Sequence, residues 1–141
     1  MRGPAKILFV CVGNACRSQM AEALARRHAA DVIAPSSAGV APLGRVDSMT
    51  RAFLLERGVP MDGQFSKGLH DDSIPQPPDR VINMSGVPCR RLFEGCPIED
   101  WEVEDPYGDD LETCRRICDD IEARVADLAA RLRNPAATTS D

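Results

Sequence analysis

An apolar run, Lys6-Ile-Leu-Phe-Val10, passes directly into Cys11-Val12-Gly13-Asn14-Ala15-Cys16-Arg17-Ser18, and helical spacing begins where that stretch ends. No other part of the chain restricts its folding options so tightly. The run is short and rich in β-branched and aromatic residues, as a buried strand requires. From Ser18 to about Ala29, Met20, Leu24 and several alanines lie on one compact helical face. Strand, tight loop and helix in that order are the opening unit of an α/β fold.

The alternation continues. Val32 to Ala34 reads as a second short strand, followed by a loop, "PSSAGVAPLG". Asp47 or Ser48 can cap a helix that carries Met49, Phe53 and Leu54 and stops at Gly58. A long polar loop then leads through "PQPPD" to a strand from Arg80 to Met84. A short helix fits Cys89 to Phe93, and Trp101 to Val103 fits a last strand. Leu111, Cys114, Cys118, Ile121, Val125, Leu128 and Leu132 step by three and four, which puts one apolar stripe on a long helix and makes Cys114 and Cys118 core residues. Asn134-Pro135 ends it. The pattern predicts one α/β domain over residues 1–133, a parallel sheet with helices on both faces, and a disordered tail over 134–141. Ligands of such sheets bind outside the carboxyl ends of the strands, which is where Cys11 to Ser18 lies.

Length and charge narrow the function. A chain of 141 residues suits one domain with a real core. A formal net charge of −5 argues against a general nucleic-acid binder, because the overall field repels a phosphate backbone, while a local basic spot can still bind one small anion. No apolar run approaches the ~20 residues of a membrane helix. The apolar stretch near the N-terminus is too short for a signal sequence, and no small-residue cleavage site follows it. A cytoplasmic chain is expected, with the six cysteines (11, 16, 89, 96, 114 and 118) mostly reduced. They form no Cys-x-x-Cys, and His28 and His70 stand far from any cysteine pair, so neither a structural zinc nor another cofactor is expected.

Cys11 to Arg17 is a Cys-x5-Arg spacing with Ser18 at the start of a helix. Successive N–H groups of a tight loop that ends in a helix N-terminus converge on a tetrahedral oxyanion. Val12, Gly13, Asn14, Ala15, Cys16, Arg17 and Ser18 would supply them, with Gly13 allowing the unusual backbone angles. Arg17 adds a guanidinium fork to the anion's oxygens. The same dipoles and positive charge favour the thiolate of Cys11, to which Ser18 can donate. A lone cysteine at a strand end is usually a small core residue. In this arrangement the catalytic reading outweighs that one.

"CVGNACRS" resembles the phosphate loop of low-molecular-weight protein-tyrosine phosphatases and of the arsenate reductases that share their fold. "SAG" at Ser37 to Gly39, "VINMSG" and "EDPYG" continue the resemblance through most of the chain, and the terminal helix fits as well. It implies a four-stranded sheet with flavodoxin-like winding. It further implies Cys11 as nucleophile, Arg17 as transition-state clamp, and Asp105 as the general acid that protonates the leaving oxygen and then activates water. Asn14 would order the loop, together with Ser37. Seen alone, Asp105 would be a turn residue before a proline.

Within the family the residues divide. Gln19 stands where the phosphatases usually have proline and the reductases glutamine. Cys89 and Cys96-Pro97 have a Cys-x6-Cys spacing similar to the redox pair of thioredoxin-coupled reductases, in which a second cysteine attacks the nucleophile and a third resolves the disulfide. Against this, Ser85 stands where those reductases place their first redox cysteine, and Tyr107 matches a tyrosine that flanks the phosphatases' aromatic substrate. Cys89 and Cys96 also suit the packing of a short helix, and Cys16 could pair protectively with Cys11. Asn14, Glu22 and Ser37 match positions that bind potassium in some reductases. On balance the residues lean narrowly to a phosphate-monoester hydrolase acting on phosphotyrosine protein or a small aryl phosphate. The alternative is an arsenate reductase with a thioredoxin-like reductant. A non-catalytic phosphoprotein-binding module is disfavoured, because a binder needs neither nucleophile nor acid.

Overall fold

In the computed structural model, which describes residues 3–106, 108 and 110–135, the first strand β1 (Ala5–Cys11) is buried from Ile7 onward on both of its faces. A strand with no solvent face belongs in the middle of a parallel sheet. β1 is indeed internal, in a sheet of order β2-β1-β3-β4 with β2 (Ile33–Gly39), β3 (Arg80–Asn83) and β4 (Ile98–Asp100), all parallel. Cys11 pairs with Gly39, and Val10 with Asn83. The carboxyl ends of the three longer strands therefore finish level, around one rim.

Alternation along β1 divides the core. Ile7, Phe9 and Cys11 join Met20 and Leu24 of α1 (Arg17–His28), Leu54 of α2 (Ser48–Glu56) and the apolar stripe of α3 (Leu111–Arg133). Leu8 and Val10 face the other way, toward Ile74, Cys89 and Phe93. The stripe on α3 follows the expected one through its middle, with Ile117 added, Leu111 exposed and Leu132 only partly buried: Cys114, Ile117, Cys118, Ile121, Val125 and Leu128 are buried. Each large aliphatic residue among them contributes on the order of 1.5–3 kcal/mol by leaving water. Asp110 caps α3 by accepting from Thr113 N–H (2.8 Å), and Asp47 caps α2 by accepting from Thr50 N–H (3.2 Å). Arg131 fastens α3 to β4 through a two-pronged contact with Glu99 (3.1 and 2.8 Å).

Three local expectations change. β2 runs through "PSSAG" to Gly39, where a loop was expected after Ala34. Pro35 is tolerated because β2 is an edge strand and need not donate on its open side. The last strand is Ile98–Asp100, upstream of the expected Trp101 to Val103, because β3 ends at Asn83 and offers little further ladder. No helix forms at Cys89 to Phe93. One helical-type bond, from Phe93 N–H to Cys89 O (3.2 Å), is not continued, and the turn ends at Gly95 with φ +78°. That face of the sheet is thus covered by turns, while the apolar faces of α1 and α3 cover the other. The expected tail lies outside the described residues from position 136 onward. Among the described residues, no helix is long and apolar enough to cross a membrane.

Candidate active site

Cys11 closes β1 and Arg17 opens α1, so the loop between them is held by the sheet at one end and a helix at the other. Cys16 caps α1 without a side-chain hydrogen bond to the first turn, which leaves the N–H groups of that turn for an anion. The unusual backbone angle falls on Asn14 (φ +50°), not on Gly13 as expected. Asparagine tolerates the left-handed region when its side chain is anchored locally, and here it is. Gly13 serves a different need: a Cβ there would sit 3.0 Å from Leu43 Cγ. Gly39 is more constrained still, since a Cβ would come within 2.6 Å of Val12 O and 2.9 Å of Asn14 N. This close approach explains the Ser-Ala-Gly end of β2: only a glycine lets the loop lie against the strand.

A chain of hydrogen bonds whose polarity is fixed as far as Ser18 ends on Cys11. The backbone N–H of Lys67 can only donate, and it donates to Asn14 Oδ1 (2.9 Å). The Asn14 amide must then present Nδ2 to Ser18 Oγ (2.7 Å). The Ser18 hydroxyl keeps its proton free to donate to a Cys11 thiolate, its Oγ lying 2.9 Å from Cys11 Sγ. Gln19 supports the same amide from below. Its Nε2 donates to Asn14 O (3.1 Å), Asn14 Oδ1 (3.0 Å) and Phe65 O (2.9 Å), and its Oε1 accepts from Gln64 Nε2 (2.7 Å). Gln64 Oε1 accepts from the Arg26 guanidinium (2.8 Å), so this branch too begins at a group that can only donate. A proline at position 19 could make none of these bonds.

Arg17 is buried and divides its guanidinium between scaffold and site. Nη1 donates to the carbonyls of Met84 (2.6 Å) and Val103 (2.9 Å), at the ends of β3 and beyond β4. Nη2 lies 3.8 Å from Asp105 Oδ2, whose side chain is about half exposed (53%) at the mouth. Cys11, the loop, Arg17, Ala41, Leu43 and Asp105 together enclose a cavity of about 170 Å³. A larger open cleft of about 640 Å³ shares Arg17 but lacks Cys11. Of the two, the smaller is the one lined by Cys11 and Asp105 together with Arg17. Cys11, Arg17, Ser18 and Asp105 are thus brought together as expected, while Tyr107 lies outside the described residues.

Two groups of contacts carried no signal in the sequence. One is the pair of backbone carbonyls that hold Arg17. The other is the segment 64–67, which looked like part of a long polar loop. Ser66 Oγ donates to Gly13 O (3.1 Å) and accepts from Gly44 N–H (3.1 Å), so the segment reaches the loop through side chain as well as backbone. Glu22 and Ser37 also differ from expectation. Ser37 Oγ donates to Glu22 Oε1 (2.5 Å) and not to Asn14. The same carboxylate meets Arg26 through Oε2 and faces Lys67 Nζ at 3.9 Å, so the oxygens considered for potassium have two cationic side chains of this chain beside them.

Cys16 lines the same cavity as Cys11, while Cys89 packs on the other face of the sheet. Burial, together with the nearby carboxylates of Asp47 and Asp105, pushes the Cys16 thiol up to about 12, outweighing a hydrogen bond with Thr50, and keeps it protonated at neutral pH. Cys89 packs with Leu8 and Val10 on the opposite face of the sheet from Cys11, its thiol raised by burial and donating weakly to Val87 O (3.5 Å). Cys96 contacts Pro78 O (3.3 Å) and is likewise raised by burial. The residue that follows Met84 beside Arg17 is Ser85, which has no redox chemistry.

Residues 6–137 match the family model described as low molecular weight phosphotyrosine protein phosphatase. The chain is 35% identical over 130 residues to the glutaredoxin arsenate reductase of Synechocystis sp., covering 90% of this chain and 98% of that protein. A solved structure described as an arsenate reductase in the phosphate binding state is 34% identical, with a TM-score of 0.81 over 91% of this chain and 98% of the other. The low molecular weight protein tyrosine phosphatase from T. tengcongensis is 26% identical, with a TM-score of 0.76 over 91% of this chain and 99% of the other.

Proposed function

Because the chain belongs to the low molecular weight phosphotyrosine protein phosphatase family, we propose that its Cys11 attacks a tetrahedral oxyanion, and that the oxyanion is arsenate, reduced to arsenite at the expense of an external thiol. The observation that carries this choice is Gln19. Its amide anchors Asn14 and the 64–67 segment through bonds that a proline could not make. The reductase relatives at 34–35% identity support the same side of the family. The narrow lean of the sequence toward phosphatase therefore gives way to its alternative.

In the first step the Cys11 thiolate forms a bond to arsenic(V), and one arsenate oxygen leaves as water after protonation by Asp105. Loop N–H groups and the Nη2 edge of Arg17 hold the remaining oxygens, with the anion competing against Asp105 for that edge. In the second step an external thiol attacks Cys11 Sγ. The electrons of the S–As bond go to arsenic, arsenite departs, and a mixed disulfide is left on Cys11. A second thiol restores Cys11 and takes both sulfur equivalents away as a disulfide. The reductant is external because Cys16 is held protonated, Cys89 lies across the sheet and Ser85 cannot serve. A thioredoxin-like protein or a small thiol in a cytoplasmic setting would supply it.

The test is arsenite production from arsenate with glutathione, or with a thioredoxin system. It should be abolished in Cys11→Ser and retained in Cys89→Ala and Cys96→Ala. No arsenite under either reductant would overturn the reading.

A second reading rests on Asp105. A carboxylate 3.8 Å from Arg17 can protonate the leaving oxygen of a phosphate monoester and then activate water against the phosphocysteine. Hydrolysis of an aryl phosphate, lost in Cys11→Ser, would support it.

A further inference from the structure

Lysine is almost never fully buried without a reason, because its ammonium loses its hydration. Lys67 is nonetheless about 7% exposed, and the reactions above do not use it. Its Nζ donates to Phe65 O (3.0 Å), lies 4.5 Å from the centre of the Phe65 ring, and stands 3.9 Å from Glu22 Oε1. Burial lowers its basicity, opposed chiefly by the Glu22 charge.

What surrounds this ammonium is a strap. Each of the four residues 64–67 is bonded to the cysteine loop or to the helix behind it. Gln64 donates to Gln19, Phe65 O accepts from Gln19, Ser66 donates to Gly13 O, and Lys67 N–H donates to Asn14 Oδ1. The carbonyl of Lys67 accepts from Gly39 N–H (2.9 Å), which ties the strap to the end of β2 as well. The orientation of Asn14, and through it the proton that Ser18 offers to Cys11, depends on where the Lys67 backbone lies.

We propose that Lys67 is a positioning residue for Cys11: its sealed ammonium, between Glu22 and the Phe65 carbonyl, is an internal cation that locks the 64–67 strap against the loop. Without it, Glu22 Oε1 keeps only the Ser37 hydroxyl as a close partner, and the strap loses its tie to α1 on that side. The loop then loosens around a nucleophile that must be held within a fraction of an ångström, a displacement that costs up to about a hundredfold in rate. The inference concerns the loop alone, which the arsenate and phosphate readings share.

The test needs no turnover, so its failure is separate from failure of either reading. Cys11 is alkylated with iodoacetamide at fixed pH, followed by peptide mass spectrometry, with and without inorganic phosphate. In Lys67→Ala, the alkylation rate and the protection by phosphate should each fall roughly tenfold. Ammonium chloride should restore both by occupying the vacated space, tetramethylammonium chloride at equal ionic strength should restore neither, and the parent protein should respond to neither salt. Lys67→Met fills the space without a charge; it should show the same loss with no rescue, and it serves if the alanine variant does not fold. Unchanged alkylation and protection in both variants would overturn the proposal. So would a loss in Lys67→Ala that ammonium does not reverse, which would make Lys67 a residue of the fold alone.

Discussion

Replacing Gln19 by glutamate should harm the protein more than replacing it by alanine, although glutamate has nearly the shape of glutamine. The reason lies in what faces position 19. Nε2 points at three oxygens, Asn14 O, Asn14 Oδ1 and Phe65 O, within 2.9–3.1 Å. In Gln19→Ala, Asn14 Oδ1 keeps Lys67 N–H, Phe65 O keeps Lys67 Nζ, and Gln64 Nε2 keeps the carbonyl of residue 19. Asn14 O loses its Gln19 donor, and a void opens beside it. An orphaned buried carbonyl costs about 1–3 kcal/mol. With the lost packing the total is on the order of 2–4 kcal/mol, a large share of the roughly 5–15 kcal/mol that holds a domain of this kind together. At about 2–4 °C per kcal/mol, thermal unfolding followed by circular dichroism should shift down by roughly 5–15 °C. Glutamate instead aims a carboxylate oxygen at those three acceptors with no water to relieve it, and its midpoint should lie below that of Gln19→Ala. If glutamate is the milder change, Gln19 acts as filler and the hydrogen-bonded account of the loop is wrong.

Two further outcomes follow from the site and its surroundings. Burial raises Cys16 to about 12 and Cys118 to about 11, above the ordinary value of 9.0. Because the folded values exceed the unfolded ones, the contribution is present in full below about pH 9 and is lost as pH climbs toward 11–12. Urea midpoints should therefore decline over that window and decline less in a Cys16→Ala/Cys118→Ala variant; equal slopes would contradict the burial argument. Asp105→Asn should slow the chemical step by about a hundredfold or more while phosphate still protects Cys11 from alkylation, since the loop and Arg17 remain; an undiminished rate would remove Asp105 from the acid role.

Much of this architecture could be read from local pattern. The apolar stripe of α3 and the buried run of β1 are periodic signals that tertiary packing had only to confirm, and Cys11, Arg17 and Ser18 share one short stretch whose geometry is local. Position 35 misled because a proline marks a loop in isolation, while an edge strand has no use for the missing N–H. Gly13 drew the expected positive φ away from Asn14, because glycine is the usual carrier of such an angle, while Asn14 is held in it by bonds with Ser18 and Gln19 and by one from Lys67, 53 residues on. The strap at 64–67 and the carbonyls that hold Arg17 are long-range by nature, and no periodicity or motif announces a backbone group. The same holds for Cys89: its spacing from Cys96 suggested a redox pair, while only the sheet shows that it packs with Leu8 and Val10, on the face opposite the cysteine it would need to reach.

The most direct measurement is the state of Cys11 after one turnover. The protein is mixed with arsenate and glutathione, quenched in acid and mapped by mass spectrometry, with arsenite quantified in the same sample. Glutathione should be disulfide-linked to Cys11 in step with arsenite release, with Cys89 and Cys96 still free thiols. A Cys11–Cys89 disulfide, or arsenite formed by a Cys11→Ser protein, would contradict it.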